Sequence, residues 1–265
     1  ITAGAIQSNH CRQTAAAAAC MQMGCHLVLG GSAPAFPNGN LLLDGLLGAT
    51  IHWAGEHRKG EDIPMIVEEL QRRGKKPYVV PYGGSNELGA TSFVEAMCEL
   101  DRQTRAGDFE FDHLLFASSS GGTHAGMMLG SHILKKKCQV TGIAIDKAGS
   151  GEKSPAQLVL ELANSTAGFL EIDYRFTESD LNLNENYTGG GYAVIGDAEN
   201  EAIGMLARYE SILLDPVYTG RAMAGLIDLV RTGFFKKDDK VLFWHTGGAP
   251  AIFAYADEII VPPGL

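Results

Sequence analysis

Residues 1–19, ITAGAIQSNHCRQTAAAAA, decide how the rest of this sequence is interpreted. A strand-like apolar segment over 1–6 passes through the polar turn QSNH and enters an alanine-rich helix. Ser8 and Asn9 are residue types preferred at a helix N-cap, just before strong helix formers. A strand feeding a helix whose first turn carries a hydroxyl, an amide and an imidazole is a good place to hold an anion. The alternative is that this polar trio only caps the helix.

The alternation of strand and helix continues along the chain. Apolar runs bounded by turn residues predict further strands at 26–29, 50–53, 77–80, 112–117, 140–145, 212–214 and 241–244. Segments with helical spacing lie between most of these strands, whereas 178–191 is predicted to be irregular. This pattern predicts an α/β fold with two open, mostly parallel sheets and helices on both faces. We expect a small α/β domain over 1–90 and a larger one over 91–265.

The composition is that of a globular protein with a net acidic charge. Hydrophobic residues make up 45% of the chain, and 31 acidic against 21 basic residues give a net charge of −10. That charge argues against a nucleic-acid partner and against binding to an anionic membrane, and no apolar run is long enough to span a bilayer. Five cysteines without a CxxC pair favour a reducing cytoplasm. No complete set of metal ligands is expected.

The strand–loop–helix unit LLFASSSGGTHAG, at 114–126, has a composition that suits a phosphate group. Small residues let backbone N–H groups approach a ligand, hydroxyls can donate, and the helix N-terminus adds partial positive charge. The unit has neither the Walker lysine nor the GxGxxG spacing, so it is no P-loop and no dinucleotide fingerprint. The alternative is a tight turn that simply requires small residues.

Two other loops with small and polar residues follow predicted strands. LDPVYTG, at 214–220, places Tyr218 and Thr219 before a helix, and WHTGGAP, at 244–250, ends the last strand. Tyr192 follows three glycines in GGGYAV, where a core tyrosine is the alternative. In open α/β sheets ligands bind at the carboxyl ends of strands, so these loops are predicted to converge on one cleft. The sequence contains no GxSxG elbow of the α/β-hydrolases.

Five blocks carry a family resemblance: QSNHCRQTAA, PYGGSN, ASSSGGTHAGM, LLDPVYTGRAMAGLID and HTGGAPAIFAY. Together they resemble the D-cysteine desulfhydrase and 1-aminocyclopropane-1-carboxylate (ACC) deaminase family, in the same order and up to about residue 255. This family is a branch of the pyridoxal-phosphate enzymes of fold type II, related to the tryptophan synthase β subunit. The resemblance implies pyridoxal 5'-phosphate as cofactor, a small amino acid as substrate, and a homodimer.

The resemblance also implies a role for individual residues. Asn9 would hydrogen-bond the cofactor's ring hydroxyl, and Thr219 would face its pyridine nitrogen. The substrate carboxylate would bind at Ser8, Asn9 and His10. The catalytic candidates are Ser8, Tyr192 and Tyr218. The cofactor phosphate would lie in a cradle formed by Ser119, Ser120, Gly121, Gly122 and Thr123.

Thr219 bears on the choice of substrate within the family. The ACC deaminases carry a glutamate after the equivalent tyrosine, which keeps the pyridine nitrogen protonated and strengthens the electron sink. A neutral threonine suits removal of the α-proton and expulsion of a good β-leaving group. We therefore expect D-cysteine to be converted to pyruvate, ammonia and hydrogen sulfide, with L-cysteate sulfo-lyase or ACC deaminase activity as alternatives.

The family's Schiff-base lysine is expected upstream of residue 1. It lies before the block that contains Ser8, in an Asn-Lys-x-Arg-Lys-like segment, and the lysines of this chain stand in other contexts. We therefore expect the larger domain to be incomplete without that segment, and the chain as printed to lack the catalytic lysine. The alternative of another class is a catalytically dead relic that binds an amino acid or phosphate without turnover.

Overall fold

Two parallel sheets organise the part of the chain that the computed structural model describes, residues 1–147 and 153–260. Each sheet belongs to a separate compact unit. The first unit contains Ile1–Gly84 and Pro250–Ala256, and the second contains Ser85–Ala249 and continues at 257. The predicted domains divided the chain once, at 90/91, whereas residues 250–256 return to the first unit.

The first unit is a three-stranded parallel sheet with helices on both faces. Its strands are β1 (Thr2–Gly4), β2 (His26–Leu29) and β3 (Thr50–Trp53), in the order β1-β2-β3. Its helices are α1 (Asn9–Cys20), α2 (Gly39–Leu46) and α3 (Ile63–Arg72). Alternate residues of β2 face opposite layers, because side chains point to opposite sides along a strand. Leu27 packs with α1 and α2, and Val28 packs with α3.

The second unit is a four-stranded parallel sheet. Its strands are β4 (His113–Ser118), β5 (Gln139–Ala144), β6 (Asn182–Asn184) and β7 (Val241–Phe243), in the order β6-β5-β4-β7. Its helices are α4 (Glu87–Ala106), α5 (Gly122–Ile133), α6 (Pro155–Phe169), α7 (Asp197–Glu210) and α8 (Thr219–Arg231). The predicted α/β class with mostly parallel sheets is therefore confirmed.

Two hydrophobic clusters hold the helices of the second unit. Leu114 and Phe116 of β4 pack with residues of α4, α5 and α6. Phe243 of β7 packs in a separate cluster with residues of α7 and α8, around the buried Leu214. Gly126 allows α4 and α5 to pack closely, since a Cβ added there would collide with the Ala90 carbonyl oxygen.

Two predicted strands are wrong. Residues 77–80 form no strand, although Ile1 N–H donates to the Tyr78 carbonyl over 2.8 Å and Val80 N–H donates to the Ile1 carbonyl over 2.8 Å. Pro77 and Pro81 have no N–H to extend this pairing. Residues 212–214 also form no strand, and the Leu213 carbonyl accepts a hydrogen bond from the His245 ring over 3.0 Å.

One short strand escaped prediction. β6 lies within the segment predicted to be irregular, and it pairs with β5 at the edge of the sheet. Asparagine is depleted in strands, and Asn182 and Asn184 make up most of this one.

Within the described ranges, no helix combines the length and the apolar character needed to cross a bilayer.

Candidate active site

The loop between β4 and α5 carries the residues that were predicted to cradle the cofactor phosphate, and that role stays a prediction. Gly121 adopts a left-handed conformation with φ of 94°, which turns the chain from the strand into the helix. Gly122 N–H donates to Ser85 Oγ over 3.2 Å, and Ser85 Oγ donates to Ser120 Oγ over 2.7 Å. Ser119 and Thr123 are both partly exposed.

Tyr192 and Tyr218 form a pair of phenols in the second unit. Their Oη atoms are 2.8 Å apart, and the rings meet edge to face at 78° with centroids 6.1 Å apart. Tyr192 lies in the loop after β6, and Tyr218 immediately precedes α8. Both rings are partly exposed. The two predicted catalytic tyrosines are therefore brought together by segments 26 residues apart.

Asp215 organises the turn that leads to Tyr218 and Thr219. Its carboxylate accepts N–H donors from Val217, Tyr218 and Thr219, at 2.8–2.9 Å. The Thr219 hydroxyl donates to Asp215 Oδ1 over 2.8 Å and accepts from the Asp215 N–H over 2.8 Å. Burial raises the pKa of Asp215, and the hydrogen bonds from Thr219 and Tyr218 oppose that shift.

Thr219 is completely buried, so its hydroxyl serves the turn. Gly248, in the loop after β7, packs against this turn, because a Cβ added there would lie 2.7 Å from the Asp215 side chain. The loop after β7 and the turn before α8 thus meet in the second unit. Contact between Thr219 and the pyridine nitrogen stays a prediction.

In the first unit, Ser8, Asn9 and His10 occupy the start of α1. Ser8 is the N-cap, and its Oγ accepts the Cys11 N–H over 3.1 Å. Asn9 Oδ1 accepts from Asn40 Nδ2 over 2.7 Å, and His10 Nε2 lies 2.7 Å from Thr2 Oγ1. Burial lowers the pKa of His10 to about 4, so its imidazole is neutral at pH 7. The capping role of Ser8 is observed, and the anion-binding role of the trio stays a prediction.

Asn40 fastens the loop after β1 to α2. Its side chain is fully buried and donates to the Gln7 carbonyl over 2.9 Å as well as to Asn9. Its own N–H donates to Gln7 Oε1 over 2.8 Å, and its Oδ1 accepts from Arg12 Nε over 3.3 Å. The position of the Asn9 side chain is therefore fixed by its hydrogen bond to the buried amide of Asn40.

Comparison with known proteins places the chain in a family. A family model described as pyridoxal-phosphate dependent enzyme matches residues 1–247. The chain belongs to the pyridoxal-phosphate-dependent enzymes. It is 38% identical over 261 residues to a D-cysteine desulfhydrase of Klebsiella pneumoniae, covering 96% of this chain and 77% of the relative. It is 40% identical over 265 residues to a D-cysteine desulfhydrase of Salmonella choleraesuis, covering 98% and 79%.

Solved structures of pyridoxal-phosphate-dependent enzymes share this fold. The crystal structure of an ACC deaminase homologue superposes with a TM-score of 0.87 at 34% identity, over 97% of this chain and 75% of the other. An O-ureido-L-serine synthase superposes with a TM-score of 0.60 at 15% identity, over 96% of this chain and 75% of the other, which shows the fold alone. The predicted family, fold type II and pyridoxal phosphate as cofactor are confirmed.

The loop at α5 fits the phosphate of this pyridoxal-phosphate-dependent enzyme. A Cβ at Gly122 would lie 2.9 Å from Ser85 Oγ, so a residue without a side chain is needed there for the loop to pack against Ser85. The first-turn N–H groups of a helix have no intrahelical partner and face an anion. Within the described ranges, no group of three or more His, Cys, Asp or Glu side chains is placed to hold a metal ion.

Several residues that contact the candidate site residues were not predicted from the sequence. Ser85 lies in the PYGGSN block and Asp215 in the LLDPVYTGRAMAGLID block, and the family resemblance implies no role for either. His124 is fully buried, with Nδ1 3.2 Å from Ser118 Oγ and its ring edge-on to Phe116. Burial lowers its pKa to about 3. A histidine within a Gly-Thr-His-Ala run gives no signal of complete burial.

Proposed function

We propose that the chain is a pyridoxal-phosphate-dependent lyase that performs α,β-elimination on a small amino acid, with D-cysteine as its best substrate. D-cysteine and water give pyruvate, ammonia and hydrogen sulfide. The 38–40% identity to D-cysteine desulfhydrases over 96–98% of the chain supports this substrate. The observation that carries the reaction type is the phenol pair of Tyr192 and Tyr218, whose oxygens are 2.8 Å apart.

Bound pyridoxal phosphate supplies the electron sink that makes the α-proton of an amino acid acidic. Two phenols that share a hydrogen bond can hold a proton at one oxygen and deliver it from the other. Such a donor assists elimination, because a proton delivered to the sulfur as it leaves Cβ with the electron pair makes it a better leaving group. We assign that proton to Tyr218 Oη, with Tyr192 Oη as the partner that orients it.

Thr219 supports elimination over ring opening. Its hydroxyl proton is given to Asp215 Oδ1, so the side chain has no proton left to offer a pyridine nitrogen. A weak electron sink suffices when a thiol leaves, since the leaving group itself takes the electron pair. Ser8, Asn9 and His10 are proposed to bind the substrate carboxylate at the N-terminus of α1, where N–H groups and the helix dipole favour an anion.

The test uses the full-length protein saturated with pyridoxal phosphate. Sulfide release from D-cysteine should exceed sulfite release from L-cysteate and ammonia release from ACC at equal substrate concentration. A protein that acquires no visible cofactor absorbance on addition of pyridoxal phosphate contradicts the proposal. Preference for either competing substrate overturns the assignment of D-cysteine alone.

A matched pair of variants tests the tyrosines. Tyr218→Phe should lower kcat for D-cysteine by about 100-fold, in the range found for general acid–base groups. Tyr192→Phe should have a smaller effect because Tyr218 keeps its own proton. Tyr209→Phe, at an exposed tyrosine of α7, is the control and should keep full activity. Equal activity of all three variants would refute a proton transfer by this pair.

A further inference from the structure

Arg221 is the largest side chain buried below 2% exposure in the described structure, and the proposed chemistry does not use it. It lies in the first turn of α8, close in sequence to Tyr218, and is 1% exposed. A buried guanidinium costs free energy unless a counter-charge and hydrogen-bond acceptors surround it. The partners of Arg221 therefore indicate what its burial accomplishes.

The guanidinium binds four acceptors from three different segments. Nε donates to Glu199 Oε1 of α7 over 2.7 Å. Nη1 donates to the Ile145 carbonyl, just after β5, over 2.6 Å, and to the Gly191 carbonyl over 2.8 Å. Nη2 donates to the Val194 carbonyl over 2.6 Å. Two of these acceptors, Gly191 and Val194, flank Tyr192 in sequence.

The loop that carries Tyr192, residues 188–196, follows an unusual path. Gly189, Gly191 and Ala193 all have positive φ, at 53°, 108° and 62°. The backbone carbonyls of such a bent loop cannot all be paired within a regular element, so acceptors remain for a side chain to bind. Arg221 supplies donors to two of them at once.

Glu199 completes the anchorage at the far end of the loop. It is 5% exposed, and while Oε1 pairs with Arg221, its Oε2 accepts the Gly196 N–H over 3.0 Å. The ion pair thus neutralises a buried cation and fixes the loop on both sides of Tyr192. A lysine could not replace this arrangement, because only the planar guanidinium presents donors in several fixed directions.

We propose that Arg221 is a positioning residue. With Glu199 it holds loop 188–196 so that Tyr192 Oη lies within hydrogen-bond distance of Tyr218 Oη. The effect of Arg221 on catalysis rests on the proposed function of the two tyrosines, whereas its effect on the loop does not.

The chain offers a matched control on the same two helices. Arg231 of α8 pairs with Glu201 of α7 through Nη1 and Nη2 at 2.9 and 2.6 Å. Both of these side chains are about half exposed, and neither contacts the loop through these bonds. Arg231→Lys therefore weakens an α7–α8 ion pair without touching the segment that carries Tyr192.

Hydrogen–deuterium exchange of the full-length protein without added substrate provides the first test. Arg221→Lys should raise the exchange rate of amides in 188–196 by at least 10-fold, and Arg231→Lys should leave them unchanged. Glu199→Gln, which keeps the oxygen acceptor but removes the charge, should give an intermediate increase and serves if Arg221→Lys does not fold. If amide exchange in 188–196 is unchanged in both Arg221→Lys and Glu199→Gln, the proposal is overturned.

Kinetics on D-cysteine provide a readout that a merely structural role would not move. If Arg221 acts through Tyr192, Arg221→Lys and Tyr192→Phe should be non-additive, and the double variant should be no slower than the slower single variant. A multiplicative loss of kcat overturns the positioning role. A full-length enzyme inactive on every amino acid, whose loop still loosens selectively in Arg221→Lys, retains the anchorage and refutes only the proposed function.

Discussion

Asp44 is a buried carboxylate in the first unit with little to compensate its charge. It is fully buried on α2, and neither of its oxygens has a hydrogen-bond partner within the part of the chain that the structure describes. Burial raises its pKa to about 7, although the nearby Arg12 opposes the shift. At neutral pH the folded protein therefore holds a mixture of charged and neutral Asp44.

The pH dependence of stability should reveal this group. Because the folded pKa is raised, Asp44 stabilises the protein most below its unfolded pKa of about 4, and that stability is lost as the pH rises through 7. Between pH 4 and 8 the wild type should lose about 1–3 kcal/mol of unfolding free energy relative to Asp44→Asn, after allowance for water near the carboxylate. Denaturant titration at both pH values measures this, with the exposed Asp173→Asn as control. Parallel pH profiles for wild type and Asp44→Asn would contradict it.

Ser85 and Gly122 should act on cofactor affinity as one unit. Ser85→Ala removes the hydroxyl that accepts the Gly122 N–H and should weaken pyridoxal phosphate binding about 5-fold, as expected for one hydrogen bond. Gly122→Ala should weaken it about 10-fold, because its Cβ would lie 2.9 Å from Ser85 Oγ and displace it.

The double variant is the decisive member of this series. With the hydroxyl already gone, the added methyl at residue 122 has room, so Ser85→Ala/Gly122→Ala should bind the cofactor as Ser85→Ala alone does. Spectroscopic titration of the full-length apoprotein gives the four dissociation constants. Additive losses would show that the two residues contact the cofactor independently.

At the scale of the elements, substitution of helical glycines by alanine separates the effect of packing on stability from the effect of helix propensity. Gly126 lies where α5 meets α4, and its substitution by alanine should destabilise the protein by about 2–3 kcal/mol through overpacking. Gly168, near the end of α6, has no atom within 4 Å of an added Cβ. Gly168→Ala should instead stabilise the helix by about 0.5–1 kcal/mol. Chemical denaturation of both variants tests the opposite signs.

The elements that the sequence predicted well are those specified by local signals. β2 and β3 were placed correctly, because each is a short apolar run bounded by turn residues. The strand predicted at 77–80 failed because prolines at 77 and 81 leave too few donors for a ladder. β6 was missed because its pairing with β5 overrides the low strand propensity of asparagine.

Among the residues of the candidate site, some could be predicted from local signals and others could not. Tyr192 and Tyr218 were predicted as members of one site through loop position and family resemblance, and the structure brings their hydroxyls together. Asn40 was not predicted, since its bonds to Gln7 span 33 residues and leave no periodic trace. Arg221 was not predicted either, because an arginine at the start of a helix is ordinarily exposed. The roles of Asn40 and Arg221 depend on partners that are distant in the sequence, and a local sequence pattern does not reveal those partners.

The pH response of the whole molecule should carry the signature of His124. Its folded pKa of about 3 lies below the unfolded value of about 6.5, so the unfolded chain binds a proton that the folded protein excludes. Stability is therefore unaffected above pH 7 and is lost as the pH falls, by about 1.4 kcal/mol for each pH unit. His124→Gln should remove this dependence between pH 6 and 4.

The comparison is made on unfolding free energies of wild type and His124→Gln. The two curves should run parallel above pH 7 and converge or cross in acid, with the wild type losing stability faster by one proton equivalent. A wild type that keeps the same offset from the variant down to pH 4 would mean that the buried imidazole takes up its proton without unfolding.

The path of the chain through its two units also constrains how the protein is made. Asn38 of the first unit donates to the Phe253 carbonyl over 2.6 Å, although the two residues are 215 positions apart in the sequence. During synthesis the amino-terminal part of that unit leaves the ribosome early, yet its closing segment, Pro250–Ala256, emerges only after Ser85–Ala249 of the second unit has been made. The first unit must therefore wait, incompletely assembled, through most of translation. Most of the second unit is thus synthesised before the first unit can be completed.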